Sequence, residues 1–150
     1  MIKKSNKLNV YLGDITHDTI VSVSDTIPIN IGYVGSYMKK IFGEKVKLTL
    51  FKYPNDIISA IKKNPPDMLG LSNYSWNSYL SELIASIAKK YNSNVITAQG
   101  GPNFPNDEDS QIKFLSKRPA TDIYTYLEGE KSCSNIVQRI FECDKNREKI

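Results

Sequence analysis

Asp67-Met68-Leu69-Gly70-Leu71 is a short run, apolar after its first residue. Asn64-Pro65-Pro66 stops the chain before it, and the polar and aromatic stretch Ser72-Asn73-Tyr74-Ser75-Trp76-Asn77 follows it. A strand that is apolar without alternation has both faces covered, the condition of a central strand in a parallel sheet. The strongest helical pattern of the chain comes next, from about Trp76 to Tyr91. Leu80, Leu83, Ile84, Ile87 and Ala88 recur there at helical spacing on an inward face. Strand, polar loop and amphipathic helix form one unit, and the same unit recurs on both sides.

Upstream, Leu8-Asn9-Val10-Tyr11-Leu12 reads as a first strand, followed by a 17-residue stretch from Gly13 to Ile29. Pro28 then precedes a helical pattern of Ile31, Val34, Met38 and Ile41, with Gly43 where a cap belongs. Val46 to Phe51 is the second strand, and Pro54 opens a helix with Asp56 in its first turn and Ile57, Ile58 and Ile61 inward. Downstream lie a fourth strand, Asn94 to Ala98, and a weaker helix, Asp107 to Ser116, with an acidic start. A fifth strand, Asp122 to Tyr126, and a closing helix complete the series. Five strands with intervening helices predict an α/β domain with a parallel sheet covered on both faces, because each crossover needs a helix to return the chain. For this length the expected arrangement is flavodoxin-like (Rossmann-like), with strand order 2-1-3-4-5. Residues 1–7 read as a basic tail, 8–143 as the domain, and 144–150 as a charged carboxyl-terminal tail or truncated linker.

The bulk properties fit one ordinary core. The chain has 150 residues, 40% hydrophobic and 24% charged. The net charge of +4 resides in the ends: Lys3, Lys4 and Lys7 before the first strand, and Lys145, Arg147 and Lys149 after the last helix. Between Leu8 and Cys143 acidic and basic residues balance, so no basic block predicts a nucleic-acid groove. No apolar stretch is long enough for a membrane span, and the polar start has no signal-peptide core behind it, which predicts a cytoplasmic protein. Cys133 and Cys143 fit no disulfide framework, zinc site or redox motif. Cys133 shares a helical face with Ile136, Val137, Ile140 and Phe141 and reads as a small buried residue.

In such sheets ligands lie outside the carboxyl ends of the strands, at the switch in strand order. The loops there hold Gly13-Asp14-Ile15-Thr16-His17 after strand one and Ser72 to Asn77 after strand three. Gly100-Gly101-Pro102-Asn103-Phe104-Pro105 follows strand four, and Glu128-Gly129-Glu130 follows strand five. The paired glycines let a ligand approach the backbone closely. A phosphate-accepting receiver domain would end strand three in aspartate and strand five in lysine, where Ser72 and about Leu127 stand. Rossmann and Walker glycine motifs are absent, and one histidine without a cysteine partner gives no nucleophilic triad.

These four segments, in this order, resemble the amino-terminal cobalamin-binding domains of radical S-adenosylmethionine enzymes. The resemblance covers about Leu8 to Phe141, and Gly100-Gly101-Pro102 with Glu128-Gly129-Glu130 carries most of it. It implies a corrinoid across the carboxyl edge of the sheet, its nucleotide tail beside the central strands. Asp14 and Thr16 would border the cofactor. Ser72 and Asn73 would hydrogen-bond it, and Tyr74 or Trp76 would cover its apolar edges. Gly100, Gly101, Pro102 and Asn103 would let the tail meet the backbone, with Glu128 and Gly129 at the same pocket. It further implies a radical S-adenosylmethionine catalytic domain, in cis or trans, holding the iron–sulfur cluster.

Two departures stand out. The base-off cobalamin enzymes carry Asp-x-His-x-x-Gly after strand one, whereas here Asp14-Ile15-Thr16-His17-Asp18-Thr19 has the wrong spacing and no glycine, so His17 reads as a loop histidine and not as a cobalt ligand. The Cys-x3-Cys-x2-Cys cluster motif is also missing, so no radical chemistry is assigned to this polypeptide alone. Glu128 and Glu130 equally suit the start of the last helix, and of Trp76 and Tyr79 at least one is expected in the core. The alternatives are a cofactor-free interaction or regulatory domain of the same fold, and a flavin- or nucleotide-binding flavodoxin-like protein whose first loop meets a phosphate.

Overall fold

The apolar run at the centre of the chain forms β3 (Met68–Ser72), every residue of which is buried. The computed structural model describes residues 7–17 and 26–150. Lys3, Lys4 and residues 18–25 of the polar stretch after the first strand therefore lie outside the described residues. Around β3 stand β1 (Leu8–Gly13), β2 (Val46–Phe51), β4 (Ile96–Gly100) and β5 (Ile123–Thr125), all parallel, in the order 2-1-3-4-5. The connections are α1 (Ile29–Phe42), α2 (Pro54–Lys63), α3 (Ser78–Tyr91) and α4 (Glu108–Ser116), and α5 (Gly129–Glu142) closes the chain. The flavodoxin-like α/β arrangement expected from the sequence is the one observed.

The pleat sorts the core into two halves. Val10, Leu12, Met68, Ile96 and Ala98 face Ile31 and Met38 of α1 and Cys133, Ile136, Val137 and Ile140 of α5. Tyr11, Leu69 and Leu71 face Ile57 and Ile61 of α2 and Ile84, Ala85 and Ala88 of α3. Helix ends follow their local chemistry. Pro54 opens α2; Gly43, at φ 52, ends α1 with its N–H donating to the Lys39 carbonyl; the Asp107 side chain caps α4 by accepting from the Ser110 N–H at 2.9 Å.

Strand ends differ slightly from expectation, with β3 and β4 running on to Ser72 and Gly100 and β4 starting at Ile96. Three larger differences concern faces. Leu83, expected inward, is 54% exposed, and Ile41 is exposed too. Neither Trp76 (61% exposed) nor Tyr79 (91%) enters the core. For Leu83 and Tyr79 the cause lies in α3, which begins at Ser78 and meets the sheet through the narrow Ser81, Ile84, Ala85 and Ala88 face, turning the Tyr79–Leu83 side outward.

Residues 144–150 fold back on the domain. Lys145 pairs with Asp67 at 2.9 Å, Arg147 with Asp122 at 2.6 Å, and Ile150 packs on the core. Among the described residues no helix is long and apolar enough to cross a membrane.

Candidate functional site

A cavity of about 150 Å³ opens at the carboxyl edge, between the sheet and helices α1 and α5. Its floor follows from the register. Leu12, Gly70 and Ala98 are cross-strand neighbours on one face, and one step nearer the edge come Ser72, Gly100 and Thr125. Below them Val10, Met68 and Ile96 are large and the core is closed. Gly70 and Ala98, then Ser72 and Gly100, thus keep side-chain bulk low beside Leu12 on a sheet face that is filled elsewhere. Glycine inside a strand weakens it and often marks a close approach; here the Leu12 side chain lies over Gly70 and the Thr125 hydroxyl over Gly100. Asn30, Ile31 and Val34 of α1 and Gly129 and Cys133 of α5 form the opposite wall, with Tyr74 and Leu127 at the ends of their loops.

The loops expected to hold the ligand are locked together beneath this opening. The Ser72 hydroxyl donates to Asp14 Oδ1, and Asn77 donates to the Ser72 oxygen and to the Ile15 carbonyl, both at 3.2 Å. Asn73, fully buried, was expected to meet the cofactor through its amide. That amide is engaged inside the protein at both ends: its Nδ2 donates to Gln99 Oε1, and its Oδ1 accepts from Asn103 Nδ2 at 2.9 Å. Gln99 continues the chain to Thr121 at 2.7 Å. Buried polar groups joined in this way fix side-chain positions, because each lost partner leaves an unsatisfied group behind.

Gly101 stands where the loop after β4 leaves no room for a side chain. Its φ is 139, and a Cβ there would stand 2.5 Å from the Asn73 carbonyl oxygen. Gly101→Ala is therefore expected to cost about 2 kcal/mol, read as a lower urea midpoint with an unchanged slope. Tyr124 clamps the same loop. Its hydroxyl donates to the Gly101 carbonyl at 3.0 Å, and Phe104 stacks on its ring at 4.1 Å. Burial pushes the phenol up to about 12 against the opposing charge of Arg118, so it remains a donor.

The remaining expected residues lie around the mouth. Tyr74 accepts from Asn30 Nδ2 at 3.1 Å, and Trp76 stacks on its outer face at 4.4 Å. Thr16 lies beside β2, its N–H donating to the Lys52 carbonyl at 3.0 Å. His17 is exposed, with Nε2 2.8 Å from the Trp76 carbonyl. Pro102 and Glu128 are exposed, and Glu128 stands at the N-cap of α5 without a side-chain capping bond. Ser72, Tyr74, Gly100, Gly101 and Gly129 thus line one cavity. Asp14, Asn73 and Asn103 support it, while Thr16, Pro102 and Glu128 are not among its lining. Reading loops alone missed Leu12, Gly70, Ala98, Thr125, Asn30 and Cys133. Burial, and then the charge of Glu130, pushes the Cys133 thiol up to about 11, leaving it a neutral part of the wall. Among the described residues no group of three or more histidine, cysteine or acidic side chains could hold a metal ion.

A cavity between a small-residue sheet face and two helices, at the switch between β1 and β3, lies where sheets of this kind bind ligands. Comparison with known protein families matches residues 16–137 to the B12 binding domain. The chain belongs to the B12-binding domain family. Relatives of this B12-binding domain include the cobalamin-dependent radical SAM methyltransferase TokK of Streptomyces tokunonensis, 37% identical over 65 residues, which are 43% of this chain and 9% of that protein. A 2-(S-pantetheinyl)-carbapenam-3-carboxylate methyltransferase of Streptantibioticus cattleyicolor is 32% identical over the same shares. An uncharacterized methyltransferase of Pyrococcus horikoshii is 27% identical over 119 residues, 75% of this chain and 24% of that protein. The matched part spans at most about a quarter of these relatives.

Proposed function

We propose that this B12-binding domain holds a cobalamin at the carboxyl edge of its sheet, with the nucleotide tail in the cavity between the sheet and helices α1 and α5. The observation that carries this reading is the double row of small residues, Gly70 and Ala98 below Ser72 and Gly100, in a sheet face otherwise closed by large side chains. The cavity's chemistry suits a flat aromatic base on a polar linker. Leu12, Ile31 and Val34 supply apolar walls, and Ser72 and Asn30 supply hydrogen-bonding groups toward the mouth. Ser72, Tyr74, Gly100, Gly101 and Gly129 would touch the cofactor. Asp14, Asn73 and Asn103 would hold those residues in place, with Thr16, Trp76, Pro102 and Glu128 nearer the ring.

When bound, the corrinoid supplies a cobalt centre suited to methyl transfer, the activity that its relatives' names state. The iron–sulfur and S-adenosylmethionine chemistry is assigned to a catalytic domain in cis or trans, in a cytoplasmic setting. Supporting such a partner, Ile27, Trp76 and Tyr79 stand exposed at the carboxyl edge, more apolar surface than a solvated rim needs.

Incubation with hydroxocobalamin followed by gel filtration tests the reading. Stoichiometric corrinoid absorbance retained by the folded protein is expected, and its absence would favour a cofactor-free interaction domain. His17→Ala is expected to leave the visible spectrum of the bound corrinoid unchanged, because His17 points its Nε2 at the Trp76 carbonyl. A shifted spectrum would make it an axial ligand.

A further inference from the structure

Leu127 follows β5 with φ 64, in the left-handed region that glycine and asparagine enter readily and leucine rarely does. The chain has little freedom there. The Thr125 hydroxyl ties the end of β5 to the Gln99 carbonyl at 3.2 Å, and Gly129 is pressed so close to α1 that a Cβ would stand 3.2 Å from Val34. Between these two fixed points the backbone must turn, and the turn falls on Leu127. A buried leucine would offset such strain by packing, but Leu127 is 80% exposed. It nevertheless belongs to the lining of the cavity, together with Leu12, Ile31 and Val34. Strain, exposure and a place at the cavity therefore meet in one apolar side chain that belongs to neither core cluster of the described residues.

We propose that Leu127 is a ligand-binding residue, its strained backbone presenting the isobutyl group at the mouth of the cavity, where an entering corrinoid tail buries it. The proposal rests on the cobalamin site described above. A leucine offers no hydrogen bond, so its contribution is the apolar area removed from water when the ligand seats. Asparagine, which tolerates the same backbone, would remove that contribution and relieve the strain at once.

The test compares the full chain with Leu127→Asn and Leu127→Met, measuring the Kd for hydroxocobalamin by equilibrium dialysis and the Tm of the apoprotein. Leu127→Asn is expected to bind roughly 10- to 30-fold more weakly, with a Tm unchanged or raised by about 3 °C. Leu127→Met should bind as the parent does. An asparagine variant with parental affinity overturns the proposal, and so does one that loses affinity and Tm together, which would make Leu127 a packing residue. Should the parent protein itself bind no hydroxocobalamin, the site assignment fails, and the role of Leu127 falls with it.

Discussion

Ala98→Leu is expected to weaken hydroxocobalamin binding about a hundredfold, corresponding to roughly 3 kcal/mol, while leaving the protein folded. Ala98 stands in β4 between Gly70 of β3 and Ile123 of β5, on the face beneath α1 and α5, and it forms part of the cavity floor. An isobutyl group in place of its methyl would project into the space assigned to the nucleotide tail. Placing a large side chain in a filled core strains it, but here the added carbons enter a void, so stability should change by less than about 1.5 kcal/mol. Affinity and stability are therefore predicted to separate. Gel filtration reports the first and thermal denaturation the second. A variant that retains corrinoid like the parent would move the tail out of this cavity.

Asp122→Ala is expected to cost about 3 kcal/mol, lowering Tm by roughly 10 °C. The Asp122 carboxylate, only 16% exposed, accepts from Lys89 at 2.8 Å, from Arg147 at 2.6 Å, and from the N–H and hydroxyl of Thr97, each at 2.9 Å. Removing it leaves a lysine and a strand N–H without their acceptor at a partly buried site. Burial alone would raise this carboxyl. The hydrogen bonds from Lys89, Thr97 and Arg147 outweigh burial and hold it below the usual aspartate range. A depressed carboxyl stabilises fully above its unfolded pKa, and that stability is lost as pH falls through the folded value. The stability gap between the parent and Asp122→Asn should therefore be constant near neutrality and shrink below about pH 4. A gap that widens on acidification would contradict the direction of this shift.

The fold was legible because its signals are local. Met68 to Leu71 has no polar alternation, Pro54 and Gly43 mark helix ends, and each strand is followed by one helical period. The outward turn of Leu83 and Tyr79 was not legible, since apolar spacing tells which residues share a face but not how wide the buried arc will be. The cavity was half legible. Ser72, Gly100 and Gly101 sit at strand ends, where ligands are sought, but the floor made by Gly70 and Ala98 depends on cross-strand register. A glycine within an otherwise apolar strand was the available signal. The contribution of Asn30 arises only when α1 returns over β1 and brings it to Tyr74. The ion pairs of Lys145 and Arg147 likewise join residues far apart in the chain, so those side chains looked like solvated tail charges until the sheet's amino-terminal end was assembled.

The central claim, that the cavity between the sheet and helices α1 and α5 receives the nucleotide tail, is tested most directly by comparing cobalamin with cobinamide, the same corrin without its nucleotide. If the cavity holds the tail, cobalamin should be retained through gel filtration and cobinamide lost, and Ala98→Leu should abolish the difference between them. Equal retention of the two corrinoids by the parent protein would contradict the account, because binding would then owe nothing to the tail.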